Sequence, residues 1–136
     1  MKSILALLLP LCSCLATAQD TLCVIQVFET ETTLNIKVTQ DPYALSTLNL
    51  ESAFRFSGQV LQDSITKQSK LKTFVYHESK DRYVLIHASE NKLQTATCTS
   101  EKFVAQEFGL HRVYSHKFEY ELSYSCKSIC ATGASQ

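Results

Sequence analysis

Glycine and proline are scarce, with three glycines and two prolines in 136 residues. Backbone amides approach a phosphate through glycine-rich turns, so this poverty argues against a phosphate-cradling loop and the nucleotide-dependent chemistry that needs one. The chain has no GxSxG, no HExxH and no paired CxxC. The common hydrolase and metal-site signatures are therefore missing, and no metal or cofactor is implied. Net charge is missing as well, with 13 Lys and Arg against 13 Asp and Glu, so no global field points to a polyanion or an anionic membrane. The densest basic group, Lys67, Lys70 and Lys72, reads as a solvated face. Asn35, Asn49 and Asn91 all lack Ser or Thr two residues on, so there is no N-glycosylation sequon.

What is present begins at the N-terminus. Lys2 supplies a positive start, residues 4–15 are apolar except for Ser13, and Ala16-Thr17-Ala18 places small residues ahead of Gln19. This pattern predicts a secretory signal peptide over residues 1–18 and a single secreted β-rich domain over 19–136. The apolar run is shorter than the roughly 20 residues that cross a bilayer and contains Pro10, so no membrane span is expected in the mature chain.

Cleavage after Ala18 removes Cys12 and Cys14, and of six cysteines Cys23, Cys98, Cys126 and Cys130 remain. An even number in an oxidising compartment predicts two disulfides, for which three connectivities exist. Ring size favours joining Cys23 to Cys126 or Cys130. Either bond closes a loop of about 100 residues, which the chain-entropy model values at roughly 4 to 5 kcal/mol.

The pattern downstream is strand-like. Leu34, Ile36 and Val38 alternate with polar residues, as do Phe118, Tyr120, Leu122, Tyr124 and Cys126, and period two over such lengths is the signature of a strand with one buried face. Residues 22–30, 70–78, 82–88 and 93–99 read as further strands, with Ser79-Lys80-Asp81 and residues 89–92 as turns and Asn91 as the left-handed turn residue. A short helix or loop is expected near 43–50, then a strand over 53–62, and a single helical turn over 101–109 ending at Gly109. The expected fold is mainly β, with α+β as its variant: a small disulfide-stapled antiparallel sheet carrying one or two short helices.

For chemistry the candidates are His77, Glu78, Arg82, His87, His111 and His116. His77 and Glu78 are adjacent, so on a strand they point to opposite faces and cannot form one acid–base pair. A hairpin folded about Lys80 pairs position 77 near Tyr83, so spacing alone does not force His77 against His87.

The run Lys80-Asp81-Arg82-Tyr83-Val84-Leu85-Ile86, then Ser89-Glu90-Asn91-Lys92-Leu93 and a Thr-rich stretch to Thr99, resembles the central strands of small secreted fungal ribonucleases of the guanyl-specific type. The resemblance implies that Arg82 stands for the phosphate-binding arginine and Glu78 for the upstream carboxylate. The histidine acid has no counterpart, because Cys98-Thr99 occupies its place, and such a general acid contributes about 10²–10⁴-fold. The chain is more similar to the ribonuclease-like secreted effector proteins of plant-infecting fungi, whose scaffold serves binding without catalysis. Their aromatic-x-Cys motif is replaced here by Thr21-Leu22-Cys23.

Three functional expectations result. The first is a small secreted, non-enzymatic binding protein of the effector or virulence type, with no catalytic residues. It would be a monomer engaging a host protein or RNA, outside the producing cell or after later entry into a host cell. The second is a lipocalin-like carrier of an apolar small ligand, its cup lined by Phe54, Phe56, Phe74, Phe118, Tyr120 and Tyr124 facing inward. The third is a secreted ribonuclease in which His111 or His116 is brought back to Arg82 and Glu78. Glu78, Arg82, His111 and His116 are accordingly the candidate ligand-binding residues.

Overall fold

Alternation gives each strand one face to bury and one to leave in water, and two such sheets satisfy each other by stacking. The computed structural model describes residues 18–95, 98, 103–116 and 119–131, and these form such a pair of sheets. The expected signal peptide lies outside the described residues except for Ala18, the first residue of a strand. Among the described residues no helix is long and apolar enough to cross a membrane.

In chain order the strands are β1 (Ala18–Val27), β2 (Thr30–Ile36), β3 (Val38–Thr39), β4 (Ser46–Asn49), β5 (Phe54–Gln62), β6 (Ser69–Ser79), β7 (Arg82–Lys92), β8 (Phe103–Ser115) and β9 (Tyr120–Ala131). One sheet runs β2-β1-β9-β8. In the other, β5 pairs β6 along one edge and both β4 and β3 along the opposite edge, and β7 closes the far side of β6. Every pairing is antiparallel except the two-residue contact of β3 with β5.

The core lies between the sheets. Ile25 and Val27 of β1 and Leu122 and Tyr124 of β9 meet Phe54, Phe56 and Val60 of β5 and Leu71 and Val75 of β6, and all are essentially inaccessible to water. Each such side chain contributes roughly 1.5–3 kcal/mol by leaving water. Ile36, at the end of β2, packs over Gly58, the residue of β5 that has no side chain to obstruct it. The ring of Phe56 stands 5.0 Å from that of Tyr124. Among the described residues, Phe54, Phe56 and Tyr124, three of the rings expected to line a cup, are packed together in this core.

The disulfides join Cys23 to Cys126 and Cys98 to Cys130. The first links directly paired positions of β1 and β9, at the inward end of the Leu122, Tyr124, Cys126 row that alternation had indicated. The second ties the segment between β7 and β8 back to β9.

Several expectations are corrected. Of the helix or loop expected near 43–50, residues 43–45 are loop and 46–49 are β4, and the three-residue 3-10 turn Glu51–Ala53 that follows is the only helical element among the described residues. Of the helical turn expected over 101–109, residues 103–109 belong to strand β8 and the first two fall outside the described residues. The register of β8 on β9 shifts between Val104 and Gln106 and between Glu107 and Leu110, and these irregularities break period two and mimic helical spacing. Gly109 ends no helix: it sits at the second irregularity with φ +81°. Residues 89–92 are not a turn but the last part of β7, where Asn91 pairs with Leu71. Residues 93–95 carry no strand, and the rest of the predicted 93–99 strand falls outside the described residues except for Cys98. The turn at Lys80 and Asp81 is as expected, both residues taking positive φ, the geometry that two-residue hairpins require.

Candidate functional site

Strand β6 has a paired strand on each side, so both of its faces can be assigned by neighbours. Leu71, Thr73, Val75 and His77 point into the sandwich and are buried. Lys70, Lys72, Phe74, Tyr76 and Glu78 therefore stand on the outer, solvent side. This corrects the expectation that Phe74 faces inward. Phe54, Phe56 and Tyr124 do face the core, Tyr120 packs on its margin, and Phe118 falls outside the described residues.

Register completes the outer face. Tyr76 lies between Arg55 of β5 and Leu85 of β7, Phe74 between Ser57 and Ala88, Lys72 between Gln59 and Glu90, and Lys70 between Leu61 and Lys92. Glu78 lies beside Tyr83. The rings of Phe74 and Tyr76 are 6.5 Å apart at 35°, and the guanidinium of Arg55 covers the ring of Tyr83 at 3.6 Å from its centroid. Arg55 also donates from Nε to Asn49 Oδ1 at 2.9 Å. Three aromatic rings thus sit half-buried on the water side of the sheet, where no core requires them.

At its other end the face runs into a groove of about 450 Å³ whose floor includes Leu61, Lys70 and Lys72. One wall is the segment after β3, held by Gln59, whose side-chain amide donates to the carbonyls of Asp41 and Ala44 at 2.9 and 3.0 Å. The other is the β5–β6 loop, organised by Asp63. Its carboxylate accepts from the backbone N–H groups of Ile65 and Thr66 at 2.9 and 2.7 Å. The bonds from Thr66 and Ile65 hold the Asp63 carboxyl below its ordinary range. Tyr43 and Ile65, at the tips of the two walls, are each 89% exposed.

Charge on this face is uneven. Along the face and its groove, Arg55, Lys70, Lys72 and Lys92 are opposed by Glu78, Glu90 and Asp63, four cations against three carboxylates. Glu90 takes Lys70 at 2.7 Å and Lys72 at 3.7 Å, and the Lys70 hydrogen bond is the main reason its carboxyl is held low. Exposed pairs of this kind add little stability, so they leave the lysine charges available to a ligand.

A second polar cluster lies between the sheets, where the edge strands β7 and β8 come together. Tyr124 Oη bonds Thr73 Oγ1 at 2.8 Å and His87 Nε2 at 3.0 Å, and Thr73 Oγ1 bonds Ser89 Oγ at 2.7 Å. His111 stacks on Tyr124 with centroids 4.7 Å apart and planes 9° from parallel, and the two imidazoles are 5.4 Å apart. Burial, reinforced by the neighbouring His111, pushes His87 below the ordinary histidine value. Among the described residues no carboxylate hydrogen-bonds either imidazole, and Ser89 Oγ is bonded to Thr73 and Tyr124 rather than to His87. The arrangement satisfies buried polar atoms, as it must in a low-dielectric interior. It lacks the nucleophile–base–orienter order of acyl-transfer sites. Among the described residues there is no group of three or more His, Cys, Asp or Glu that could hold a metal.

The four residues singled out from sequence do not gather at one point. Glu78 is on the outer face at the end of β6, and Arg82 is exposed at the start of β7. His111 belongs to the other sheet and faces the interior cluster, while His116 is exposed in the turn after β8. Among the described residues neither Glu78 nor Arg82 forms a hydrogen bond or ion pair with either histidine. His77 is buried, with its ring edge-on to Phe54 and Nε2 donating to the Ser52 carbonyl at 3.1 Å.

Tyr76, Tyr83 and Arg55 are not among the candidates the sequence singles out, and Phe74 is named there only as an inward ring of a cup. A signal existed: two steps of period two from Lys70 and Lys72 lead to Phe74 and Tyr76, so the charged row and the aromatic row are the same row. No protein-family model, curated protein or solved structure matches the chain.

Proposed function

We propose that the mature chain is a secreted, non-enzymatic binding protein that engages a macromolecule of a host cell through the outer face of the β5–β6–β7 sheet. The observation that carries this reading is the placement of Phe74, Tyr76 and Tyr83 on the solvent side of a sheet whose inner side already supplies a filled core. Aromatic rings on a surface are disfavoured unless they serve contact, and interfaces are enriched in them for that reason. Two disulfides and a satisfied interior make the sandwich a rigid support on which such a face is pre-organised. The effector type of function fits this division of labour, with a scaffold for stability and a surface for recognition.

The test is retention of partners from host-cell extract by the immobilised, oxidised mature protein, compared with an F74A/Y76A variant. The reading predicts that the species retained by the wild type are lost with the variant. Equal retention by both proteins contradicts it.

A further inference from the structure

Resting on the reading of this face as the binding face, we propose that its ligand is a single-stranded nucleic acid. Bases would stack on Phe74, Tyr76 and the Arg55-backed ring of Tyr83, and the phosphate backbone would run over Lys70, Lys72 and Lys92 into the groove beside Leu61.

Three observations select this class. Side chains two apart on a strand are separated by about 6.6 Å, so Lys70, Lys72, Phe74 and Tyr76 form one straight row whose repeat is comparable to that of an extended nucleotide chain. The row changes character along its length from ammonium groups to rings. Such a pairing of backbone-tracking cations with stacking platforms is what sequence-tolerant single-strand binding uses. Finally, positive charge exceeds negative along this course, four cations against the three carboxylates of Glu78, Glu90 and Asp63. A neutral oligosaccharide would stack on the same rings and have no use for that excess.

A duplex is excluded by the same geometry. Its bases are stacked on one another and cannot lie on side-chain rings, whereas splayed bases of a single strand can. Both imidazoles of the interior cluster lie beneath the sheet, so neither faces a strand held on this surface.

The experiment uses the oxidised mature protein and fluorescently labelled oligonucleotides of about 12 nucleotides, within the span of single-strand sites. Oligouridylate, oligothymidylate and a duplex of equal length are titrated by anisotropy across a salt series. Binding of single strands over duplex is expected, with affinity falling as salt rises. F74A/Y76A, whose folding is checked by thermal unfolding, should lose about 100-fold in affinity, on the order of tenfold for each ring. K70Q/K72Q should flatten the salt dependence by about 1.4 logarithmic units per decade, at roughly 0.7 for each phosphate contact on a single strand. Because both variants alter outward-facing residues, a fold defect in one leaves the other decisive.

Equal binding of duplex, or affinities unmoved by both variants, would overturn the assignment. Should no oligonucleotide bind while a neutral oligosaccharide or a host protein is held in a manner abolished by F74A/Y76A, the ligand class falls and the binding face stands. If no probe of any class distinguishes wild type from variant, both fall.

Discussion

Arg55 and Tyr83 come from strands that do not pair, yet the guanidinium of one lies 3.6 Å from the ring centroid of the other. β6 runs between them, and the contact crosses it beside Tyr76, the register partner of Arg55. The contact sets the Tyr83 ring against the sheet, with Tyr76 and Phe74 following along β6.

This contact serves recognition more than stability. An exposed cation–π pair is worth about 0.5–1 kcal/mol, so R55A should lower the unfolding free energy by no more than that in denaturant titration. The same variant should weaken oligonucleotide binding by about tenfold, since it removes the backing of a stacking ring. A large stability loss with unchanged binding would assign Arg55 to the scaffold instead.

Gly58 is the point where the sandwich is tightest. A Cβ there would collide with Ile36 Cδ1 and approach Cγ1 at 3.1 Å, and Ile36 is buried in the core with little room to turn. G58A should destabilise by about 1–3 kcal/mol, the usual cost of overpacking. Adding I36V, which removes Cδ1, should recover part of the loss. Additive losses in the double variant would show that Ile36 is not the obstacle.

The two crosslinks should differ in value. Cys23–Cys126 spans 103 residues and Cys98–Cys130 spans 32, for which the loop-entropy relation gives about 4.7 and 3.7 kcal/mol. Replacing Cys23 and Cys126 with alanine should therefore lower the denaturation midpoint more than replacing Cys98 and Cys130. The ordering is strengthened because Cys23 and Cys126 also pack in the core.

Acid should weaken the fold through the histidine cluster. His87 is held below the ordinary value of 6.5 by burial and then by His111. Between the unfolded and the folded value the unfolded chain binds more protons, so stability rises with pH there and is lost as pH falls from about 6.5 through the depressed folded value. The groups facing His87 are Tyr124, Thr73 and Ser89 as neutral partners and His111 as a potential cation. H111Q removes the second positive charge and should flatten the fall in midpoint with acidification. An unchanged pH profile in H87Q would show that other groups govern the acid limb.

Much of the scaffold was legible in the residues themselves. Leu122, Tyr124 and Cys126 alternate with charged or hydroxyl residues that cannot be buried cheaply, so their face had one reading, and Cys126 indeed lies on the core side. The Lys80-Asp81 turn was equally plain, being polar and flanked by two strand patterns. β8 was not, because irregular register around Gln106 and Gly109 destroys the alternation that would have announced it. The outer face was half legible: in β6 both rows carry apolar side chains, Leu71 and Val75 on one and Phe74 and Tyr76 on the other. The lysines that decide between them are equally compatible with a solvated face. Cys98 and Cys130 could not be paired by ring size alone, since connectivity depends on where the chain crosses between sheets.

The most direct test is the anisotropy titration of a labelled oligouridylate of about 12 nucleotides against wild-type and F74A/Y76A protein at matched, low salt. Saturable binding by the wild type, weakened about 100-fold in a variant that unfolds at the wild-type temperature, is the predicted result. Identical curves for the two folded proteins would contradict the account.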